Sequence, residues 1–234
     1  MKAFLASTST LHGQEYLEYL IPYLTQLYMD AEEVVFVPYA RPGGISHAEY
    51  SALAAGAFKK AGLKLRGLQE FSDPVQAIEN AEGIFTGGGN TFLLVSELYR
   101  NKVMPALQQA VRNGTPYLGT SAGTNIAGLS MQTSNDMPII YPPSFKTLGL
   151  VPFNINPHYL DPDPTSTHKG ETRETRIKEF HNLNSQPVVG LREGSWLELS
   201  GDNITLKGKL SARIFEVNKE PYEIDPDTSL SNLN

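Results

Sequence analysis

The chain has no cysteine and a single tryptophan in 234 residues. The missing thiols exclude disulfides, thiolate metal sites and a cysteine nucleophile together. Positive charge is also short: the formal net charge is −6 at pH 7, which argues against a nucleic-acid partner, since that normally needs a basic patch. No apolar run reaches the roughly 18 residues that a membrane span requires. The apolar part of the opening MKAFLASTST is too short for a secretory leader and reads as a first strand. There is no lipidation motif. These absences predict a cytoplasmic protein with no membrane or nucleic-acid partner, and no motif implies a cofactor or a metal.

What is present alternates short apolar runs with longer amphipathic stretches. KAFLAST, EEVVFVPYA, LKLRGLQ, GIFTGGG and TPYLGTS read as five strands. Between them, residues 14–29 read as a helix that Pro22 kinks or breaks, and 47–61 as a second helix. DPVQAIENA reads as a short helix capped by Asp73 with Pro74 in its first turn. Residues 91–113 read as one long helix closed by Gly114. Strands alternating with helices predict an α/β fold with a mostly parallel sheet sandwiched by helices. Past residue 130 the texture changes. Loops rich in Pro, Asn, Asp and Thr run to about 170. A helix is predicted in KGETRETRIKEFHNL, and antiparallel strands in 187–217 turning at Gly-Asp-Asn. One domain over 1–218 and a polar, frayed tail over 219–234 are expected.

Two glycine loops fall at strand ends, where open parallel sheets bind ligands. TGGGNT (86–91) lets the backbone approach a ligand closely, and Asn90 or Thr91 can cap the next helix. No Lys-Ser/Thr follows, so it is not a phosphate loop. In TPYLGTSAGTN (115–125), GTSAG has the G-x-S-x-G form of a nucleophile elbow, which holds Ser121 exposed between strand and helix. The alternative is an ordinary tight turn.

A serine nucleophile needs a base. Of five histidines, His158 in NINPHYL stands at a strand end fixed by Pro157 and ranks first; His168 in STHKGE ranks second. His12, His47 and His181 read as surface or capping residues. An orienting carboxylate is also needed, and Glu193 in GLREGSW and Asp136 in SNDMP both qualify.

TGGGNTF, GTSAGTN, SNDMPII, INPHY, HKGETRETRIKE and GLREGSW appear in the order and spacing of one family. Across nearly its whole length the sequence resembles peptidase E, the aspartyl dipeptidases. The resemblance implies a class I glutamine amidotransferase-like fold of flavodoxin-like layout. It also implies hydrolysis of dipeptides with N-terminal aspartate by a triad of Ser121, His158 and Glu193. Gly88, Gly89 and Ala122 would then supply oxyanion N–H groups. Arg173, rather than Arg176, would read the aspartate carboxylate, and Asn90 or Asp136 would accept the substrate amine. Where the family usually carries Trp before the serine, this chain has Thr120, which predicts a smaller pocket wall. The chain is expected to be a monomer or homodimer. Rival readings are a cyanophycinase-like or isoaspartyl hydrolase, and a binding module of the same fold whose serine is inert.

Overall fold

In the computed structural model, residues 1–163, 165, 167 and 169–233 are described. Five apolar runs form parallel strands: β1 (Lys2–Ala6), β2 (Glu33–Val37), β3 (Lys64–Gly67), β4 (Ile84–Thr86) and β5 (Tyr117–Thr120). They lie in the order β3-β2-β4-β5-β1 and share one carboxyl edge. Thr86 pairs with Gly119 and Ala6 with Thr120, so Ser121 and Ser7 follow side by side, with Gly87 level with Thr120.

The inner strands are almost wholly apolar because both faces are covered, whereas the edge strand β3 carries Lys64 and Arg66. Leu5, Val35, Val37 and Tyr117 pack on one side with the helices α3 (Pro74–Glu79), α4 (Thr91–Arg100) and α5 (Val103–Arg112). Phe4, Phe36, Phe85 and Leu118 pack on the other with α1 (Ile21–Leu27) and α2 (His47–Lys60). Local chemistry sets the helix starts. Ser46 and Glu49 form a reciprocal capping box at α2, and Asp73 caps α3 ahead of Pro74.

The elbow helix α6 (Ala122–Asn125) leads by a long loop to β6 (Asn154–Pro157), α7 (Arg173–His181) and β7 (Val188–Leu191). The chain then returns to the first sheet. There β8 (Ser195–Ser200) adds antiparallel to β1, and β9 (Asn203–Gly208) pairs with β8. Next, β10 (Ala212–Phe215) and β11 (Tyr222–Ile224) complete a second sheet in the order β11-β10-β7-β6. No helix among the described residues is long and apolar enough to cross a membrane.

Three expected elements differ. The helix predicted from residue 14 begins only at Ile21, because the Leu17 N–H donates to the Ser9 carbonyl and Leu17 adopts φ +59°. Pro22 therefore opens α1 instead of kinking it. The single helix over 91–113 is two helices. Asn101 turns its side-chain amide onto the Glu97 carbonyl and Lys102 adopts φ +58°; such local bonds compete with helix propagation. The segment from 219 is not frayed. It forms β11, buries Leu230 and Leu233, and bonds the Leu230 N–H to the Ile204 carbonyl.

Candidate active site

At the end of β5 the chain bends sharply into α6. Ser121 takes φ +53° and ψ −110°, a combination that persists only where surroundings enforce it. Two glycines make the bend possible. A Cβ on Gly123 would fall onto the Thr86 carbonyl, and one on Gly119 onto the Gly123 backbone. The Ser121 N–H donates to the Ala6 carbonyl at 3.1 Å, and the Ser121 carbonyl accepts from Asn125 at 2.8 Å. Both bonds fix the hydroxyl at the sheet edge.

His158 follows β6 with φ +53°. Its Nε2 lies 2.9 Å from Ser121 Oγ, and its Nδ1 lies 2.6 Å from Glu193 Oε1. A carboxylate only accepts, so Nδ1 carries the proton and Nε2 accepts from the serine hydroxyl. Glu193 occupies the turn between β7 and β8. Its neighbour across the turn is anchored too, since the Tyr159 N–H donates to the Leu191 carbonyl at 3.1 Å.

The TGGGNT loop runs beside the elbow. A Cβ on Gly88 would lie 2.9 Å from the Ser121 Cβ, so only glycine fits. Among the described residues, no group accepts from the N–H of Gly88, Gly89 or Ala122. Tyr50 donates to the Gly88 carbonyl at 3.1 Å and steadies this loop from behind.

A cavity of about 220 Å³ opens here, lined by Ser121, His158, Asn125, Asp136, Thr91 and Arg173 among others. Asp136 accepts from the Thr91 N–H (2.7 Å), the Thr91 hydroxyl (2.6 Å) and the Ser134 hydroxyl (3.1 Å). It does not touch His158; Glu193 does. Arg173 begins α7. Burial, and then Arg176, push its guanidinium below the ordinary arginine range, while Asp136 pulls the other way. Among the described residues it has no carboxylate partner, whereas Arg176 pairs with Glu171 and Glu174 pairs with Lys178 and Arg213.

Two sequence candidates stand elsewhere. Asn90 caps α4 through its Oδ1 and donates from Nδ2 to the Met137 carbonyl at 2.9 Å. Its side chain is thereby occupied, and it does not line the cavity. Thr120 is fully buried and is not among the residues that line the cavity. His168 lies outside the described residues. Of the other histidines, His47 starts α2 and His181 bonds the Gln186 carbonyl. Ser7, which bonds the His158 backbone, and Thr91, which holds Asp136, are site residues that motif reading missed. Ser7 is a single hydroxyl with no pattern around it, and Thr91 was read in TGGGNT only as a possible helix cap. No cluster of three histidines and carboxylates suited to a metal occurs among the described residues.

A hydroxyl, an imidazole and a carboxylate in line at the carboxyl edge of a parallel sheet define a serine hydrolase on an α/β scaffold. The sequence comparisons refine this: residues 3–207 match the model of Peptidase family S51, and the chain belongs to that family. "Peptidase E" of Streptomyces coelicolor is 51% identical over 233 residues, covering all of this chain and 95% of that protein. A "probable alpha-aspartyl dipeptidase" of Drosophila melanogaster is 44% identical, covering 98% and 95%. Among solved structures, a peptidase from an acI-B1 actinobacterium superposes with TM-score 0.71 at 17% identity, covering 98% of this chain and 96% of that one. A putative peptidase E from Listeria monocytogenes gives TM-score 0.65 at 20% identity, covering 89% and 98%. The two solved structures bear on the fold alone.

Proposed function

We propose that this peptidase cleaves dipeptides with an N-terminal aspartate through an acyl-enzyme on Ser121. Ser121 Oγ attacks the aspartyl carbonyl carbon while His158 Nε2 takes its proton and Glu193 steadies the imidazolium. The oxyanion accepts from the Ala122 N–H and from Gly88 or Gly89, a contribution of about 10²–10³ in turnover per donor. The C–N bond then breaks and His158 protonates the leaving amine. Water attacks the ester and gives a proton to His158, which passes it to Ser121 Oγ as the ester C–O bond breaks and aspartate leaves.

One observation carries the substrate class. The same small cavity holds the Ser121–His158 pair and a half-buried guanidinium, Arg173, with no carboxylate partner among the described residues. A substrate carboxylate supplies that partner bidentately. Asp136 keeps one carboxylate oxygen outside its bonds to Thr91 and Ser134 and accepts the substrate ammonium. The names of the S. coelicolor and D. melanogaster relatives agree with this reading. The absence of cysteine suits an enzyme of the cytoplasm.

Assays of Asp-Leu, Leu-Leu and the β-linked Asp-Leu isomer test it. Hydrolysis of Asp-Leu alone, abolished by Ser121→Ala, is expected. Cleavage of only the β-linked peptide makes the protein an isoaspartyl or cyanophycinase-like hydrolase, and binding without turnover makes it a binding module.

A further inference from the structure

Three separate segments carry Ser121, His158 and Glu193, and all three meet at the end of β1. Ser7 follows that strand and is fully buried. Its hydroxyl accepts the His158 N–H at 2.8 Å and donates to the Leu191 carbonyl at 2.7 Å, two residues before Glu193. Its own N–H donates to the Ser195 carbonyl at 3.1 Å, two residues after Glu193. Ala6, directly before it, receives the Ser121 N–H. Two consecutive residues of the chain thus bond backbone groups at, or two residues from, every member of the triad.

The Ser7 hydroxyl does what few side chains can. It supplies a donor and an acceptor on one atom, and here both are used between strands of the second sheet and the edge of the first. The group it holds needs holding. His158 sits at φ +53°, a conformation unfavourable to any residue with a Cβ, and such a backbone relaxes when its support is removed. Without the hydroxyl, the His158 N–H and the Leu191 carbonyl lose this partner in a buried place.

We infer that Ser7 is a positioning residue for the reaction: it fixes the left-handed backbone of His158 against the Glu193 turn, so that one imidazole reaches both partners at once. This rests on the triad reading above. Ser7 touches no reacting atom and acts through the backbones of His158 and the Glu193 turn.

The test compares Ser7→Ala with Ser7→Cys, which keeps a weak donor on a somewhat larger atom, and with Thr147→Val. Thr147 carries another buried hydroxyl, bonded at 2.7 Å to the Gly128 carbonyl and absent from the cavity wall. Each variant is measured for kcat and KM on Asp-Leu, for its denaturation midpoint, and for the low-field proton resonance of the His158 Nδ1–H bonded to Glu193. Ser7→Ala is expected to lower kcat about ten- to a hundredfold, the scale of ångström misplacement. KM stays within about twofold and the resonance shifts or broadens. Ser7→Cys falls between Ala and wild type. Thr147→Val lowers the midpoint but leaves kcat and the resonance in place. Wild-type kcat and resonance in both Ser7 variants, with Ser121→Ala inactive, overturn the inference while sparing the triad. Equal loss in Thr147→Val also overturns it, by making the effect one of general stability. Activity in Ser121→Ala overturns the triad reading instead.

Discussion

Arg192 and Asp161 form a two-point ion pair, with Nε 2.9 Å from Oδ2 and Nη2 2.7 Å from Oδ1. Arg192 precedes Glu193, and Asp161 lies three residues after His158. Adjacent side chains of one turn therefore grip the same neighbouring segment, Glu193 by the imidazole and Arg192 by the carboxylate. The guanidinium also reaches Glu223 of β11 (2.7 and 3.0 Å) and the Ser211 carbonyl (2.7 Å), which engages its whole fork of donors.

Arg192→Met is expected to lower stability by about 1–2 kcal/mol in urea denaturation. A charged hydrogen-bonded group is worth somewhat more, but Asp161 and Glu223 are partly solvated and the value is discounted accordingly. Asp161→Asn, which removes one partner only, costs less. A change below about 0.5 kcal/mol, as for an ordinary surface residue, counts against the clamp.

Acid exposes the same network. The hydrogen bond from Arg192, helped by Ser211 and Arg213, lowers the Glu223 carboxyl from its ordinary 4.5 to about 2. A carboxylate lowered on folding contributes stability that is fully present above its unfolded value and is lost as pH falls through its folded one. Wild-type stability should therefore fall between about pH 4.5 and 2, and Glu223→Gln should show a shallower slope over that interval. Parallel slopes in urea titrations across this range contradict the assignment.

Arg173 gives a prediction of opposite kind, loss of function without loss of stability. Burial and Arg176 both disfavour its charge in the free protein, so Arg173→Gln should leave the melting temperature unchanged or higher. For Asp-Leu, kcat/KM should fall about 10- to 100-fold, the worth of a charged hydrogen-bonding group. An unaltered kcat/KM removes Arg173 from substrate reading.

The elbow serine, the glycine loop and the parallel sheet were legible because each is written in adjacent residues: GTSAG, TGGGNT and five apolar runs. His158 and Glu193 were legible as candidates: the residues alone left Glu193 and Asp136 both open, the family resemblance favoured Glu193, and Glu193 is the carboxylate that lies 2.6 Å from the imidazole. What stayed hidden depends on tertiary partners. Nothing in Asn101-Lys102 announces a helix break until the Asn101 amide takes the Glu97 carbonyl. The residues before Ile21 keep helical spacing yet lose the helix to a bond between Leu17 and Ser9. The polar spelling of the last fifteen residues hid β11, a three-residue strand that pairs with β10 through its backbone and places Glu223 against Arg192 and Ile224 against the core.

The seven-stranded sheet delivers Ser121, while the four-stranded sheet delivers His158 and leads into Glu193. Ser121 and His158 therefore come from different sheets, whose inner faces share one core cluster. A slip of about an ångström between them is enough to silence the chemistry while leaving every helix and strand intact. On the proposed mechanism, the rate therefore depends on how the two sheets dock as well as on the side chains themselves.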